Sequence, residues 1–478
     1  MKYHLITLGC QMNLSDSERV SSVLESMGYM HTEHEEEANL LGMLACSVRQ
    51  KPIDKVYNKI AQWNRWKNNR NLVTFVSGCI LPADKEKFLK SFDLIFQMSE
   101  LAQLPEMIRE YGVVTPAGLK TPQPVMPKNE HISEMWHIKP KYQSTYEAFV
   151  PIQNGCDKFC TFCAVPYTRG REVSRPSGEI VEEVRQLVCQ GYKSITLLGQ
   201  NVNSYGLDKN GREINFTELL RQIGEYGKIS GEEFWVYFTS PHPQDMNREV
   251  IEVIAAYDCL ARQIHLPMQS GDEHVLIKMN RRHSMDKYRR IVADIRELIP
   301  QATLFTDIIV GFSGEGEAEF QNTLAAMNEF RFNMAYIAMY SPRPGAASFR
   351  WENEVAPDDK KDRLHRSSEV LKIHSREYNE TLVGKTMRVL INGTDRKTGF
   401  SSGLTEGKLI VRLDRRDDSL MGKIVDVKIT SAADFSLSGK EAPLNLQASS
   451  PTLLHRRREQ GNEDSEHFIL NRILHVKK

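Results

Sequence analysis

Six strand–helix units follow one another between 148 and 380, and this run limits the fold more than any other feature. Apolar, strand-like stretches fall near Phe149–Gln153, Ser194–Leu198, Trp235–Thr239, Gln263–Met268, Leu304–Val310 and Ala335–Tyr340. A helical pattern follows each; in the first, Ile180, Val181, Val184, Leu187 and Val188 mark one face. Strands that alternate with helices pair in parallel, because the return crossover needs a helix. Six such units predict a parallel sheet curved into a partial barrel, with its site at the carboxyl ends of the strands.

Just past the first of those strands stands Cys156-x-x-x-Cys160-x-x-Cys163, three of only 8 cysteines in 478 residues. Thiolates suit soft iron, and three of them on a four-iron cube leave one iron free to bind something else. A structural zinc or an electron-transfer cluster normally takes four protein ligands. The three-cysteine spacing therefore points to chemistry at an open iron.

The first 110 residues alternate strand and helix signals and place three more cysteines at strand ends. Tyr3–Leu8 runs to Gly9-Cys10, Leu40–Ala45 to Cys46, and Leu72–Val76 to Gly78-Cys79. A helix is expected from Ser15, acting as cap, to Met27. In an open parallel sheet the carboxyl edge is where ligands sit; buried structural cysteines are the alternative reading. Cys189 lies beside the apolar face of the helix that follows the first of the six strands and reads as a packing residue, as does Cys259.

Lysine plus arginine equals aspartate plus glutamate, 62 against 62, so no global field calls for a polyanion. No apolar run approaches the roughly 20 residues of a membrane span. The first ten residues read as a strand rather than a signal peptide, and cysteines in a reducing compartment favour metal or catalysis over disulfides. A cytoplasmic protein with no membrane partner is expected. Prolines at 116, 122, 124, 127 and 140 mark 112–147 as a linker. From 381 to 441 short alternating runs (Thr386–Ile391, Lys408–Leu413, Ile424–Ile429) broken by glycines predict a small β-barrel. The remaining 442–478 is a polar tail carrying Arg456-Arg457-Arg458 and Lys477-Lys478.

The Cys156-Cys160-Cys163 motif resembles the signature of radical S-adenosylmethionine enzymes. Gly9-Cys10-Gln11-Met12-Asn13, Cys46-Ser47-Val48-Arg49 and Gly78-Cys79 resemble the N-terminal domain of the methylthiotransferases. Within that family, two segments are similar to the branch that makes 2-methylthio-N6-(dimethylallyl)adenosine in tRNA. These are Pro166-Tyr167-Thr168-Arg169-Gly170-Arg171-Glu172 and Leu198-Gly199-Gln200-Asn201-Val202-Asn203. Thr239-Ser240-Pro241-His242-Pro243, His265-Leu266-Pro267-Met268-Gln269-Ser270-Gly271, Ile309-Val310-Gly311-Phe312 and Tyr340-Ser341-Pro342-Arg343-Pro344-Gly345 extend the match across about 1 to 440.

The resemblance implies an α/β multidomain chain. A flavodoxin-like N-terminal domain (1–111) precedes the linker, followed by a partial (β/α)6 radical core (148–380) and a TRAM, OB-like β-barrel (381–441). It implies two 4Fe–4S clusters, one on Cys156, Cys160 and Cys163 and an auxiliary one on Cys10, Cys46 and Cys79, with S-adenosylmethionine as cofactor. One S-adenosylmethionine methylates a sulfur carried on the auxiliary cluster; a second is cleaved reductively, and the resulting radical removes the C2 hydrogen of the adenine. The implied partners are a tRNA anticodon stem-loop, a reductant protein and a sulfur donor, with the enzyme acting as a monomer. Phe162 would shield the cluster from water; Gly199, Gln200, Gln269, Ser270, Val310 and Gly311, at strand ends, are the expected cofactor contacts. His265 reads as a core histidine and Lys158 as an exposed loop residue. Arg169 and Arg171 are candidates for the cofactor carboxylate or for phosphates. The Arg281-Arg282-His283 run with Arg289-Arg290, Lys385, Arg388, and the Trp63 and Trp66 pair are candidates for RNA contact.

Two departures stand out. Where the family has Asn-Thr before the second auxiliary cysteine, this chain has Leu44-Ala45, and Ser313 replaces a usual proline. The rival readings are the sister enzyme that modifies an aspartate of a ribosomal protein, a branch acting on threonylcarbamoyl-modified adenosine, and a non-catalytic, zinc-stabilised RNA-binding protein. Gln11-Met12-Asn13 and Gln200-Asn201-Val202-Asn203 favour the dimethylallyladenosine branch over both sister enzymes.

Overall fold

A computed structural model describes residues 1–47, 50–110, 129, 131–395 and 399–442. The basic clusters of the tail and half of the expected 112–147 linker lie outside these residues. No helix among the described residues is long and apolar enough to cross a membrane.

The N-terminal region runs β1 (Lys2–Thr7), α1 (Gln11–Ser26), β2 (Met30–His31), β3 (Leu40–Cys46), α2 (Gln50–Lys67), β4 (Val73–Cys79), α3 (Pro82–Phe88), β5 (Leu94–Ile95) and α4 (Leu104–Arg109). Its strands pair in the order β2-β1-β3-β4-β5, every pairing parallel. That is the doubly wound order whose ligands sit at the carboxyl edge. Every residue of β3 is buried, as expected for a central parallel strand covered on both faces. Two apolar clusters result: Leu40, Leu44, Phe75 and Phe96 on one side of the sheet, and Leu41, Met43, Trp63 and Phe88 on the other. Within the expected linker, α5 (Ile132–His137) packs Ile132, Met135 and Trp136 into the first of these clusters.

The helix expected from Ser15 begins four residues earlier. Cys10 is its N-cap, with extended backbone and no side-chain cap bond, and Ser15 is fully buried within it. Its burial explains a composition that looks solvated: Asn13, Asp16, Glu18 and Arg19 are nearly inaccessible because α1 lies between its own sheet and the first strand of the next domain.

That domain runs β6 (Glu147–Pro151), β7 (Gln153–Asn154), α6 (Val165–Arg169), β8 (Val173–Ser174), α7 (Ser177–Cys189), β9 (Ser194–Leu198), α8 (Phe216–Ser230), β10 (Trp235–Phe238) and α9 (Arg248–Ala256). It continues with β11 (Gln263–His265), α10 (Glu273–Lys278), α11 (Met285–Leu298), β12 (Thr303–Val310), α12 (Glu317–Phe330), β13 (Met334–Met339) and α13 (Pro357–Glu380). Parallel triplets β6-β9-β10 and β11-β12-β13 are joined by a parallel bridge from Val236 to Leu260. The six strands thus follow chain order around a partial barrel, and among the described residues no pairing joins β13 back to β6. One continuous apolar core, including Val150, Leu197, Val236, Ile264, Leu304 and Ala335, lies between the strands and the helices.

The last domain is a closed five-stranded barrel, β14 (Thr386–Thr394), β15 (Ser401–Thr405), β16 (Ile410–Leu413), β17 (Ile424–Ala432) and β18 (Ser436–Glu441), ordered β14-β15-β16-β18-β17. Two strands went unread in the sequence. Ser401-Ser402-Gly403 and Ser436-Leu437-Ser438-Gly439 are too rich in small polar residues to signal a strand. This barrel meets the amino-terminal ends of the larger one: Thr303 Oγ1 donates to Gly407 O (2.7 Å), Arg262 pairs with Glu406 (3.3 Å), and Lys408 stands over the Tyr237 ring (4.2 Å). The opposite, carboxyl edge stays clear for the site.

Candidate functional site

The first cysteine trio is built by the sheet. Cys46 and Cys79 end adjacent strands β3 and β4 in direct register, and Cys10 follows β1 as the cap of α1. Asn13, on the first turn of α1, gathers them: its Nδ2 donates to Ala45 O (2.8 Å), and its Oδ1 lies 3.7 Å from Cys10 Sγ and 3.8 Å from Cys79 Sγ. Room for this comes from Gly78, at φ +101°, where a Cβ would lie 2.5 Å from Ala45 O. The unpaired N–H groups of α1 face Cys10 and favour negative charge there. Leu44 and Ala45, the departure from the family pattern, place their side chains in the apolar clusters on the two faces of the sheet. The amide beside these thiols belongs to Asn13.

The second trio lies in the loop between β7 and α6. Thr161 Oγ1 donates to Lys278 O (2.8 Å), Thr161 N to Met279 O (3.0 Å) and Asn280 Nδ2 to Phe159 O (2.9 Å), so the loop is pinned to the end of α10. Gln200 Oε1 accepts from Gly155 N (2.5 Å), and Arg281 reaches Cys160 Sγ (3.6 Å) and Pro267 O (2.9 Å). Burial pushes the Cys163 thiol up to about 12 and raises Cys156 as well. Both thiols line the cavity over this loop, and a metal bound there must displace their protons.

A cavity of about 170 Å³ opens over this loop, lined by all three cysteines with Lys158, Phe162, Gln200, Ser240, His242, Gln269, Arg281 and Asp307. Of the expected cofactor contacts, Phe162, Gln200 and Gln269 line it. Gln269 holds φ +70° and exchanges backbone hydrogen bonds with Asp307 and Ile309, which fixes its place on the wall. Gly199, Ser270, Val310 and Gly311 do not line the cavity. Ser270 is buried against Thr323 Oγ1 (3.3 Å), Val310 belongs to the barrel core, and Gly311 forms a turn whose N–H donates to Glu315 Oε2 (2.5 Å). Gly199 is buried against Gln153 and Val202. Phe162 also packs edge-on against Phe312 at 6.4 Å, which covers the loop with apolar surface.

Several basic residues are not where charge alone suggested. Arg169 is buried and engages Asp16 (2.5 Å) and Cys79 Sγ (3.0 Å), so it is withdrawn from phosphates and from a cofactor carboxylate. Arg281 is buried beside Cys160. Lys158 is mostly covered and pairs with Asp245 (2.6 Å). Arg289 is held by Asp286 and Glu329, and Arg388 by Glu233 and Asp426. Trp63 is buried in its own domain with Nε1 on Glu35 (2.9 Å), and Trp66 carries Arg70 over its ring (4.9 Å). Arg171 is exposed and pairs with Asp157 (2.8 Å). His265 Nε2 meets Asp307 (2.9 Å). Cys189 is exposed beside the Tyr226 hydroxyl rather than packed, whereas Cys259 is buried. His242, part of the Thr239–Pro243 match but not among the expected cofactor contacts, stands on the cavity wall. Burial, reinforced by Arg281, pushes its imidazole far below the usual range and keeps it neutral.

The two trios are neighbours. Helix α6, which starts two residues after Cys163, packs against β4, which ends in Cys79. Among the described residues no three His, Cys, Asp or Glu side chains are gathered tightly enough for one metal ion. A cube makes a different demand, one thiolate per iron corner rather than three on a single ion.

Family models match in the same order as the domains. The model described as an uncharacterized protein family, UPF0004, covers residues 2–97, the radical SAM superfamily 150–327, and the TRAM domain 380–440. A tRNA-2-methylthio-N(6)-dimethylallyladenosine synthase of Clostridium botulinum (strain Okra / Type B1) is 39% identical over 448 residues, spanning 92% of this chain and 97% of the relative. Proteins of the same description from Geotalea uraniireducens (37%; 91% and 98%) and Symbiobacterium thermophilum (37%; 93% and 96%) match equally broadly. Among solved structures, the radical S-adenosylmethionine methyltransferase TsrM from Kitasatospora setae shares the fold. Its TM-score is 0.54 at 14% identity, over 82% of this chain and 79% of that one.

Proposed function

The chain belongs to the tRNA-2-methylthio-N6-dimethylallyladenosine synthase family, and on that premise we propose that its two cysteine trios work as a pair on one adenine. The enzyme converts N6-(dimethylallyl)adenosine, next to the anticodon of tRNA, to its 2-methylthio derivative: C2–H is replaced by C2–SCH3. Cys156, Cys160 and Cys163 hold the 4Fe–4S cluster of the radical core, and Cys10, Cys46 and Cys79 hold a second. When bound, the clusters with S-adenosylmethionine would relay the electron, generate the radical and carry the sulfur that an unactivated carbon requires.

The rest of the work is positioning. Gln200 and Asn280 hold the cysteine loop in shape, Phe162 and Phe312 keep water from it, and Arg281 places a cation beside Cys160. Gln269 and Gln200 offer amides to the cofactor along the cavity wall. The observation that supports this reading is the packing of α6, which follows the radical-core trio in the chain, on β4, which ends in Cys79: Arg169 at the end of α6 reaches Cys79 Sγ (3.0 Å). Electrons and sulfur must come from outside, so a reductant protein and a sulfur donor are required partners. The reducing cytoplasm is the setting in which eight unpaired cysteines persist.

Mass spectrometry of tRNA nucleosides from a deletion strain tests the assignment. Loss of the methylthio group from the prenylated adenosine supports it; an undiminished level rejects it.

A further inference from the structure

Arg169 is an unusual place for a charge. Its side chain is about 3% exposed, and it belongs to the radical core, yet its carboxylate and thiol partners belong to the N-terminal domain. Nε donates to Cys79 Sγ at 3.0 Å, Nη2 meets Asp16 Oδ2 at 2.5 Å, and Nη1 reaches Asp16 Oδ1 (3.5 Å) and Asn154 Oδ1 (3.4 Å). The backbone is fixed as well, Asn154 Nδ2 donating to Arg169 O at 2.9 Å. Burial opposes the guanidinium charge, and the buried Asp16 carboxylate at 2.5 Å opposes that cost. Asp16, 1% exposed, sits on α1, whose cap is Cys10. A buried ion pair is a poor source of stability, since desolvation offsets most of the attraction. Placed against a cluster ligand it has another use. Reduction of an iron–sulfur cluster adds a negative charge, and a hydrogen-bonded cation at a ligand sulfur favours the reduced form.

We propose that Arg169 is a positioning residue for the N-terminal cysteine trio: it sets the reduction potential of the iron–sulfur group held there and locks that group to the domain bearing the other trio. The inference rests on the reading that Cys10, Cys46 and Cys79 hold a cluster. The predecessor of each effect is electrostatic, so its sign is fixed. Loss of the arginine charge lowers the potential, and loss of the opposing Asp16 charge raises it.

The test uses full-length protein in which Cys156, Cys160 and Cys163 are all replaced by Ala, reconstituted anaerobically and titrated by EPR-monitored redox potentiometry. R169Q is expected to retain iron with a midpoint potential below the parent's, R169K to fall between the two, and D16N to move above the parent. An R169Q protein that binds iron at the parent's potential overturns the proposal. If R169Q fails to fold, D16N decides: an upward shift supports the proposal and an unchanged potential defeats it. A parent that binds no iron at all instead defeats the second-cluster reading, leaving the two failures distinguishable.

Discussion

Cys46 and Cys79 stand opposite one another in register, each the last residue of its strand on neighbouring parallel strands. Sheet spacing alone therefore sets their backbones about 4.8 Å apart, and Cys10 enters from the next strand in the same sheet. The second trio owes its form to a loop instead. The two should fail independently. Cys46→Ala is expected to bind about four irons fewer than the parent's roughly eight while still cleaving S-adenosylmethionine; Cys160→Ala is expected to lose a similar number and to abolish cleavage. Iron analysis beside a 5′-deoxyadenosine assay reads both. Equal loss of cleavage in the two variants would count against separate roles.

Asn13 brings one amide to two thiols and a strand end. Asn13→Asp keeps the shape but replaces a neutral oxygen by a carboxylate beside two ligand sulfurs, and removes the donor to Ala45 O. Iron uptake by the N-terminal trio is expected to fall at least severalfold, with stability lowered by about 1–3 kcal/mol. Reconstitution of the Cys156/Cys160/Cys163→Ala protein with and without the change measures it.

Gly155 precedes the radical-core trio at φ +82°, where a Cβ would lie 2.1 Å from Arg171 O. Gly155→Ala forces the loop to move, at a cost of about 1–3 kcal/mol from backbone strain alone. It is expected to lose the radical-core cluster while the N-terminal one remains, which visible absorption and iron content would record.

Glu18 supplies a pH dependence. Burial at the interface between α1 and the barrel pushes its carboxyl from 4.5 up to about 7. Between those values the folded chain binds more proton than the unfolded one, so stability falls as pH rises from about 4.5 to about 7 and stays lost above that. The full effect is on the order of 2–3 kcal/mol. Glu18→Gln is expected to match the parent near pH 5 and to melt higher at pH 8. Melting curves that run parallel at both pH values would exclude this role.

Most of the scaffold was legible because parallel strands advertise themselves: Ser194–Leu198 was read to the residue, and the six barrel strands were each located to within a few residues. Spacing and strand ends single out six cysteines in the sequence, and the structure sets three of them in one loop and three at one sheet edge. Helix α1 was misjudged at its start because Ser15 looks like a cap, whereas the chain uses Cys10 and buries Ser15 against Phe149 O (3.3 Å). The basic residues were harder. Arg169 finds Asp16 at a sequence separation of 153, and Arg281 finds Cys160 at 121. Nothing local distinguishes such an arginine from one that faces water. The neutrality of His242 was hidden for the same reason, since it depends on burial and on Arg281.

The account stands most directly on one reconstitution. Purified protein loaded with iron and sulfide is incubated with S-adenosylmethionine, a reductant and an anticodon stem-loop carrying N6-(dimethylallyl)adenosine, and the RNA is analysed by mass spectrometry. A product heavier by a methylthio group in place of hydrogen, absent from Cys46→Ala and Cys160→Ala, is the expected result. An unmodified stem-loop from protein with both clusters loaded would contradict it.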